Sequence, residues 1–290
     1  MSEAKQALLS DRGVVSVSGE DAGKLLSGLL TNDVDLLDRA PAIHAGLLSP
    51  QGKILFDFFV VPSGAEFLID VARDKSTELV KRLTMYRLRA NVELRDISDA
   101  HAVLAAWEGD FVTREGVSFA DPRQSALGHR SILAASDGPA GNETSIAAYH
   151  AHRISLGVPE GGKDYDFGDA FPHEANFDLL AGVSFDKGCY VGQEIVARME
   201  HRGTVRKRIV RVTGAGDLPA TRPDVLMGDV VIGRLASIAG RCGLAMLRLD
   251  RAIEAIDKEV AIIAGGIALT VDPEMIARQR KLMADKKSAS

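Results

Sequence analysis

The sequence predicts an α+β protein that closes on a small antiparallel β-barrel. β-prone runs and helical periodicities succeed one another up to residue 204, whereas from Val205 the pattern becomes short apolar runs separated by glycines. The length of 290 residues also exceeds one small domain and leaves room for about two or three compact units.

Val14, Val15 and Val17 open with a short β-prone run. Gly19, Glu20 and Asp21 then lead into a segment where Ala22, Leu25, Leu26, Leu29 and Leu30 recur at helical spacing. Ser49-Pro50-Gln51-Gly52 is a proline–glycine turn between β-prone runs at 43–48 and 54–61, which predicts a hairpin. Residues 66–71 read as a strand, 76–85 as a helix with Leu79, Val80 and Leu83 inward, 90–94 as a strand and 101–107 as another. The stretch 120–141 carries the turn signals Asp121-Pro122-Arg123 and Asp137-Gly138-Pro139. Residues 157–176 show no period and read as a long loop, a feature that is often functional. Barrel strands are predicted at 205–212, 230–238, 242–249 and 260–271, followed by a short amphipathic helix from Glu274 and a frayed end. The expected organisation is an α+β region over 1–204, with a candidate subdivision near 100–115, a barrel over 205–273 and a tail over 274–290.

With 46% hydrophobic and 26% charged residues the composition is that of a globular protein. The start, MSEAKQALLSDRG, lacks the apolar run of a signal peptide and no later stretch is long enough to span a bilayer, so no membrane partner and a cytoplasmic location are expected. A net charge of −5 offers no general attraction to nucleic acid. The two cysteines, Cys189 and Cys242, match neither a zinc-finger spacing nor a disulfide framework, and no metal site is expected. An iron–sulfur cluster usually takes about four protein ligands, so any cluster role is shared or indirect.

The segment Lys187-Gly188-Cys189-Tyr190-Val191-Gly192-Gln193-Glu194 precedes a stretch in which Val191, Ile195, Val196 and Met199 share a helical face. Cys189 is thereby expected at or just before a helix N-terminus, where free amides and the Lys187 charge stabilise a thiolate. Taken alone, a single cysteine reads more readily as a small buried hydrophobe, and Glu194 with Arg198 as a surface pair. Asp57 interrupts a run containing Phe56, Phe58 and Phe59. It is either an acceptor for a bound group or part of a strand's solvent face, and the pattern favours neither. Arg198, Arg202, Arg206, Lys207, Arg208 and Arg211 form a basic cluster that would suit an acidic ligand or partner, although a solvated face is the plainer reading. Aromatics are not interleaved with it, which argues against nucleic acid.

The octapeptide resembles the KGCYxGQE signature of the YgfZ family, relatives of the glycine-cleavage T-protein. The likeness extends to Ala197-Arg198, His201-Arg202-Gly203, the run from Pro172 to Asp178, Gly182-Val183-Ser184-Phe185, Thr31-Asn32-Asp33, Tyr86-Arg87-Leu88-Arg89 and Asp121-Pro122-Arg123. It implies a GcvT-like fold, with an α+β portion around a folate pocket and a C-terminal barrel. It further implies binding of tetrahydrofolate or a derivative and a part in maturing iron–sulfur enzymes, with Cys189 at the position of the family's functional cysteine. Cys242 matches no motif and reads as core. Residues 52–57 align with the T-protein segment that holds a catalytic aspartate, and Asp57 stands there; Asp70 and His44 fall where T-protein residues line the pterin pocket, though either would also serve as a strand end. Tyr190, Gln193, Glu194 and Arg202 join them as cofactor-binding candidates. The stretch Arg153-Ile154-Ser155-Leu156-Gly157 departs from the T-protein pattern, because Ser155 replaces a pterin-binding glutamate and a hydroxyl is no two-point acceptor. The implied role is a folate-binding accessory factor for assembly or repair of iron–sulfur clusters, with Cys189, Lys187 and Asp57 as its working residues. Its expected partners are folate and iron–sulfur enzymes or assembly proteins. The rivals are a folate-dependent aminomethyltransferase, one-carbon transferase or demethylase, a non-folate interaction module, and redox sensing by Cys189.

Overall fold

The computed structural model describes residues 3–111, 115–138, 143–202 and 205–289; the side chains of Arg202 and of 286–289, and also Pro139 and Gly203, lie outside the described residues. The chain divides into two compact units, Met1–Tyr149 with Phe177–Gln193, and His150–Asn176 with Glu194–Ser290. The second unit takes in the 150–176 segment together with the barrel, because that segment is hydrogen-bonded to barrel strands.

The first unit contains β1 (Lys5–Leu8), β2 (Arg12–Ser18), α1 (Ala22–Ser27), β3 (Ile43–Leu48), β4 (Ile54–Ser63), β5 (Glu66–Ala72), α2 (Ser76–Arg87), β6 (Glu93–Asp96), β7 (His101–Trp107), β8 (Val117–Ala120) and β9 (His129–Ala134). α3 (Ile146–Ser155) begins in it and ends in the second unit. The strands form two antiparallel sheets, ordered β3-β4-β5-β2-β6 and β1-β7-β9-β8. Alternation along the five-stranded sheet sends Val15, Val17, Phe56, Phe58, Val60 and Ile69 to one face, where Leu26, Leu79 and Leu83 of the helices cover them. The other face sends Val14, Phe59, Val61 and Leu68 against Val103, Trp107, Phe119 and Ile132 of the four-stranded sheet.

The expected hairpin is present: Ser49 accepts from Gly52 N at 2.8 Å and donates its own amide to Lys53 O at 2.8 Å. The expected strand at 90–94 begins instead at Glu93, because Asn91 is held in a turn by both its amide and its carbonyl against Asp21. β9 lies inside the stretch whose turn signals had dominated the sequence reading; the buried Arg130 and Ser131 obscure its apolar alternation.

The second unit adds α4 (Gln193–Arg202, entering from Glu194), β10 (Lys207–Gly214), β11 (Asp224–Met227), β12 (Val230–Ala239), β13 (Cys242–Arg248), α5 (Leu249–Asp257), β14 (Ile262–Ala264), β15 (Ile267–Val271) and α6 (Pro273–Ala289). The strands close into a barrel in the order β10-β13-β12-β11-β14-β15, every pair antiparallel. The expected strand at 260–271 is a hairpin, since Gly265 (φ 55°) and Gly266 (φ 82°) supply the two positive φ angles that a tight turn requires. α5 was not foreseen, although Leu249, Ala252, Ile253 and Ala255 bury one helical face. α6 replaces the short helix and frayed end. Fully buried Arg153 ties the 150–176 segment to the barrel, donating to Asp164 (2.6 Å), Val158 O (3.0 Å) and Ser237 Oγ (3.1 Å). Ile209 N donates to Glu174 O at 2.8 Å and Asn176 Nδ2 to Ile209 O at 2.7 Å.

Candidate functional site

The thiol loop is built on the chain that follows α1. Where a helix ends, its last carbonyls lack intrahelical partners. The Lys187 ammonium meets the last of them, donating to the carbonyl of Ser27 (2.8 Å), and also binds those of Leu30 (2.7 Å) and Asn32 (2.9 Å) in the chain beyond the helix. Burial draws its pKa down to about 8, against the opposing charges of Asp33 and Asp35. The same ammonium lies 5.2 Å from the centre of the Tyr190 ring. Lys187 is therefore an anchor whose donors are engaged by main-chain carbonyls.

Beyond it, Gln193 Oε1 accepts from Tyr190 N at 2.7 Å while Gln193 N donates to Tyr190 O at 3.3 Å, a reciprocal cap that opens α4. Burial pushes the Tyr190 hydroxyl up to about 12. Gly192 has φ 84°, and a Cβ there would stand 2.5 Å from Ser49 O, so the loop seats on the β3–β4 turn only with glycine. Thr31 donates to Gly182 O (2.6 Å) and accepts from Gly46 N (2.8 Å), and Asn32 Nδ2 donates to His44 O (2.8 Å) and Ala181 O (2.7 Å). The segment before Lys187 is thus stitched to β3.

Cys189 is exposed on this fixed loop. Of the expected placement at or just before a helix N-terminus, the structure holds the second: Cys189 lies four residues ahead of Gln193, with the Val191–Gly192 turn between it and α4. The bland alternative, a buried hydrophobe, is also not what the structure holds. Cys242 opens β13 partly buried, not in the core as expected.

A second group lies on one face of the five-stranded sheet. His44 pairs with Phe59, Gly46 with Asp57, and Phe59 with Asp70, so the strand period places His44, Asp57, Phe59 and Asp70 on a common face. All four are buried. The space above Gly46 is filled by the Phe177 ring, 2.8 Å from where a Cβ would lie. His44 sits 4.6 Å from the Phe177 ring centre and 5.6 Å from that of Phe59. Burial and then Arg123 lower its pKa to about 4, although Asp57 raises it. His44 is consequently neutral near pH 7; Nδ1–H donates to Leu180 O at 3.1 Å, which leaves Nε2 as an acceptor.

Asp70 faces two guanidinium groups, accepting from Arg12 Nε at 2.6 Å and Arg130 at 2.8 Å. Arg130 also reaches Asp121 at 3.3 Å and the Tyr149 hydroxyl at 2.6 Å, while Arg123 grips Asp121 at 3.0 and 2.7 Å. Arg123 and Arg130 lie over the Phe59 ring at 4.8 and 4.5 Å. Burial alone would raise the Asp121 pKa, but the two arginines hold it well below the usual carboxylate range. Asp70 is thus a member of a buried ion-pair network, not an acceptor open to a pterin: both its oxygens are occupied.

Sequence reasoning missed Arg12, Arg130 and Tyr149; Asp121-Pro122-Arg123 was visible as a turn and as part of the family likeness, but not as a buried ion pair. Glu194 is exposed on the first turn of α4 in the second unit, and the Arg202 side chain lies outside the described residues. Ser155, also in the second unit, donates to His152 O at 2.7 Å along its own helix.

Residues 206–278 match the family model of the CAF17 C-terminal β-barrel domain. Mouse iron–sulfur cluster assembly factor IBA57, mitochondrial, is 35% identical over 276 residues, covering 83% of this chain and 77% of that protein. The human protein of the same name is 33% identical over 279 residues, covering 82% and 76%. A homologue from Mycosarcoma maydis is 37% identical over 247 residues, covering 78% of this chain but 60% of its own length, so the chain spans less than two thirds of that relative. Among solved structures, the glycine cleavage system aminomethyltransferase T from Bartonella henselae superposes with a TM-score of 0.72 at 14% identity, over 93% of this chain and 85% of that one, which shows a shared GcvT-like fold.

These findings overturn the cytoplasmic expectation, since the relatives named are mitochondrial proteins. Two reduced thiols point to a reducing compartment, and more than one compartment is reducing. The expected YgfZ membership is narrowed to a related family, because the proteins that align over most of the chain are IBA57 factors. On the identity and coverage of the mouse and human proteins, this chain belongs to the IBA57 family of iron–sulfur cluster assembly factors.

Proposed function

We propose that the protein is an accessory factor for assembly or repair of iron–sulfur clusters in client enzymes, in the mitochondrial compartment of its relatives, with the Cys189 thiol as its working group. The observation that carries this reading is the placement of Cys189: an exposed thiol on a loop held by Lys187, by Gly192 against the β3–β4 turn, and by the Tyr190–Gln193 cap. Thiolates are the form of cysteine that ligates metals and attacks sulfur, and a fixed backbone presents one in a constant direction. A cluster takes about four such ligands, so partner proteins or small thiols supply the remainder.

The reading extends to tetrahydrofolate on the Asp57 face. A pterin offers amino and ring N–H donors and a flat apolar surface. Asp57 and the neutral His44 Nε2 are matching acceptors, and the Phe177 ring beside His44 is an aromatic wall, so the residues present fit the group. When bound, it would supply a one-carbon carrier. Asp57 and His44 would orient it, with the Arg123–Asp121–Arg130 network fixing Phe59. The Ser155 hydroxyl is turned to its own helix, which leaves the aminomethyl-transfer reading without its glutamate.

The test is aconitase-type activity in cells lacking the protein, restored with wild type or Cys189→Ala at matched expression. Restoration by wild type alone supports the reading; equal restoration by both overturns it. For folate, titration of purified protein with tetrahydrofolate should show binding that Asp57→Asn weakens about tenfold, and equal affinity would remove folate from the assignment.

A further inference from the structure

The C-terminal end of α2 presents apolar side chains where a solvated helix end would be expected. Leu88 is 86% exposed and Met85 67% exposed. Leu88 also holds φ 46° and ψ −107°, a conformation that L-residues rarely adopt, so the backbone turns the chain at the point where the leucine stands in solvent. Leu88 lines a groove of about 410 Å³ between α1 and the end of α2, whose floor is Leu25, Leu29, Tyr86 and Ala90. Leu25, Tyr86 and Ala90 belong to the same apolar cluster as Val191 of the thiol loop.

The rim is basic: Lys24, Arg87 and Arg89 are exposed, and Asp21, the acidic group among the lining residues, is bonded to Asn91 N at 2.7 Å. This stands out on a chain of net charge −5. The groove is also continuous with the thiol loop, since Gly28 and Leu29 line it while Lys187 binds the carbonyls of Ser27 and Leu30 on either side of them.

We propose that this groove docks an acidic, aliphatic-centred segment of the protein that delivers or receives the cluster, and that α1 holds that partner next to Cys189. Leu88 anchors the apolar centre of the segment, and Lys24, Arg87 and Arg89 pair with its carboxylates. The proposal rests on the assembly-factor reading and names the chemistry of its partner.

The experiment uses the same cells, with Leu88→Gly, the charge reversal Lys24→Glu with Arg89→Glu, the conservative pair Lys24→Arg with Arg89→Lys, and Cys189→Ala, all at matched expression. Glycine accepts the Leu88 backbone angles, so the first variant removes the anchor without straining the fold. Leu88→Gly and the charge reversal should each lower restored cluster-enzyme activity at least about fivefold, with iodoacetamide labelling of Cys189 unchanged and the conservative pair equal to wild type. Full restoration by Leu88→Gly while Cys189→Ala fails overturns the docking site and leaves the assembly role standing. Full restoration by the charge reversal overturns the acidic partner, as does equal failure of the conservative pair. Full restoration by Cys189→Ala overturns the assembly role itself.

Discussion

His44 makes stability depend on pH in a direction that can be worked out. Its pKa falls from 6.5 in the unfolded chain to about 4 in the fold, with burial as the largest cause. Between those values the unfolded state binds a proton that the native state does not. Stability therefore rises with pH across this window and is lost as pH falls towards 4. At about 1.4 kcal/mol per pH unit the full contribution is roughly 3 kcal/mol, and about 2 kcal/mol of it is already lost at pH 5. The perturbation is His44→Asn, whose amide can still donate to Leu180 O but does not titrate. Urea unfolding at pH 7 and pH 5 should show a larger drop for wild type than for the variant, by on the order of 1 M in midpoint. Equal drops would refute the argument, because carboxylates elsewhere contribute to both proteins alike. Asp57→Asn should steepen the acid dependence, since Asp57 is a charge that favours the His44 imidazolium.

Three further outcomes follow from the geometry. Asp70→Asn leaves Arg12 and Arg130 buried against a neutral side chain and should cost about 3–5 kcal/mol, read by urea unfolding at pH 7; a loss below about 1 kcal/mol would contradict the ion-pair network. Gly192→Ala puts a Cβ against Ser49 O at a positive φ and should destabilise the loop seating by roughly 1–3 kcal/mol, seen as faster hydrogen exchange at the amides of residues 187–193. Leu88→Gly should raise the thermal midpoint, because relief of the backbone strain is worth on the order of 1 kcal/mol and little packing is lost; a lower midpoint would show that Leu88 supports the fold.

The barrel was legible because its strands are short, apolar and punctuated by glycine, and strand period depends on local spacing alone. His101–Trp107 and the 49–52 turn were legible for the same reason. α5 escaped because Leu249 closes an apolar strand and simultaneously opens a helical face, and a run shared by two elements has no single period. β9 escaped because two of its buried residues, Arg130 and Ser131, are polar, and their burial depends on partners distant in sequence. The thiol loop was legible as a motif, but not as a conformation: the three carbonyl partners of Lys187 lie on residues 27, 30 and 32, about 160 positions earlier in the chain.

By itself the sequence determined the class of fold, the closing barrel and the cysteine segment, since each is written in local periods or in contiguous residues. Only the tertiary structure decided that Asp70 is held between two arginines, that Lys187 is tied to three main-chain carbonyls, and that Leu88 stands in solvent. These depend on contacts between residues far apart in the chain and on how much water each group retains, and no spacing along one strand or helix encodes either.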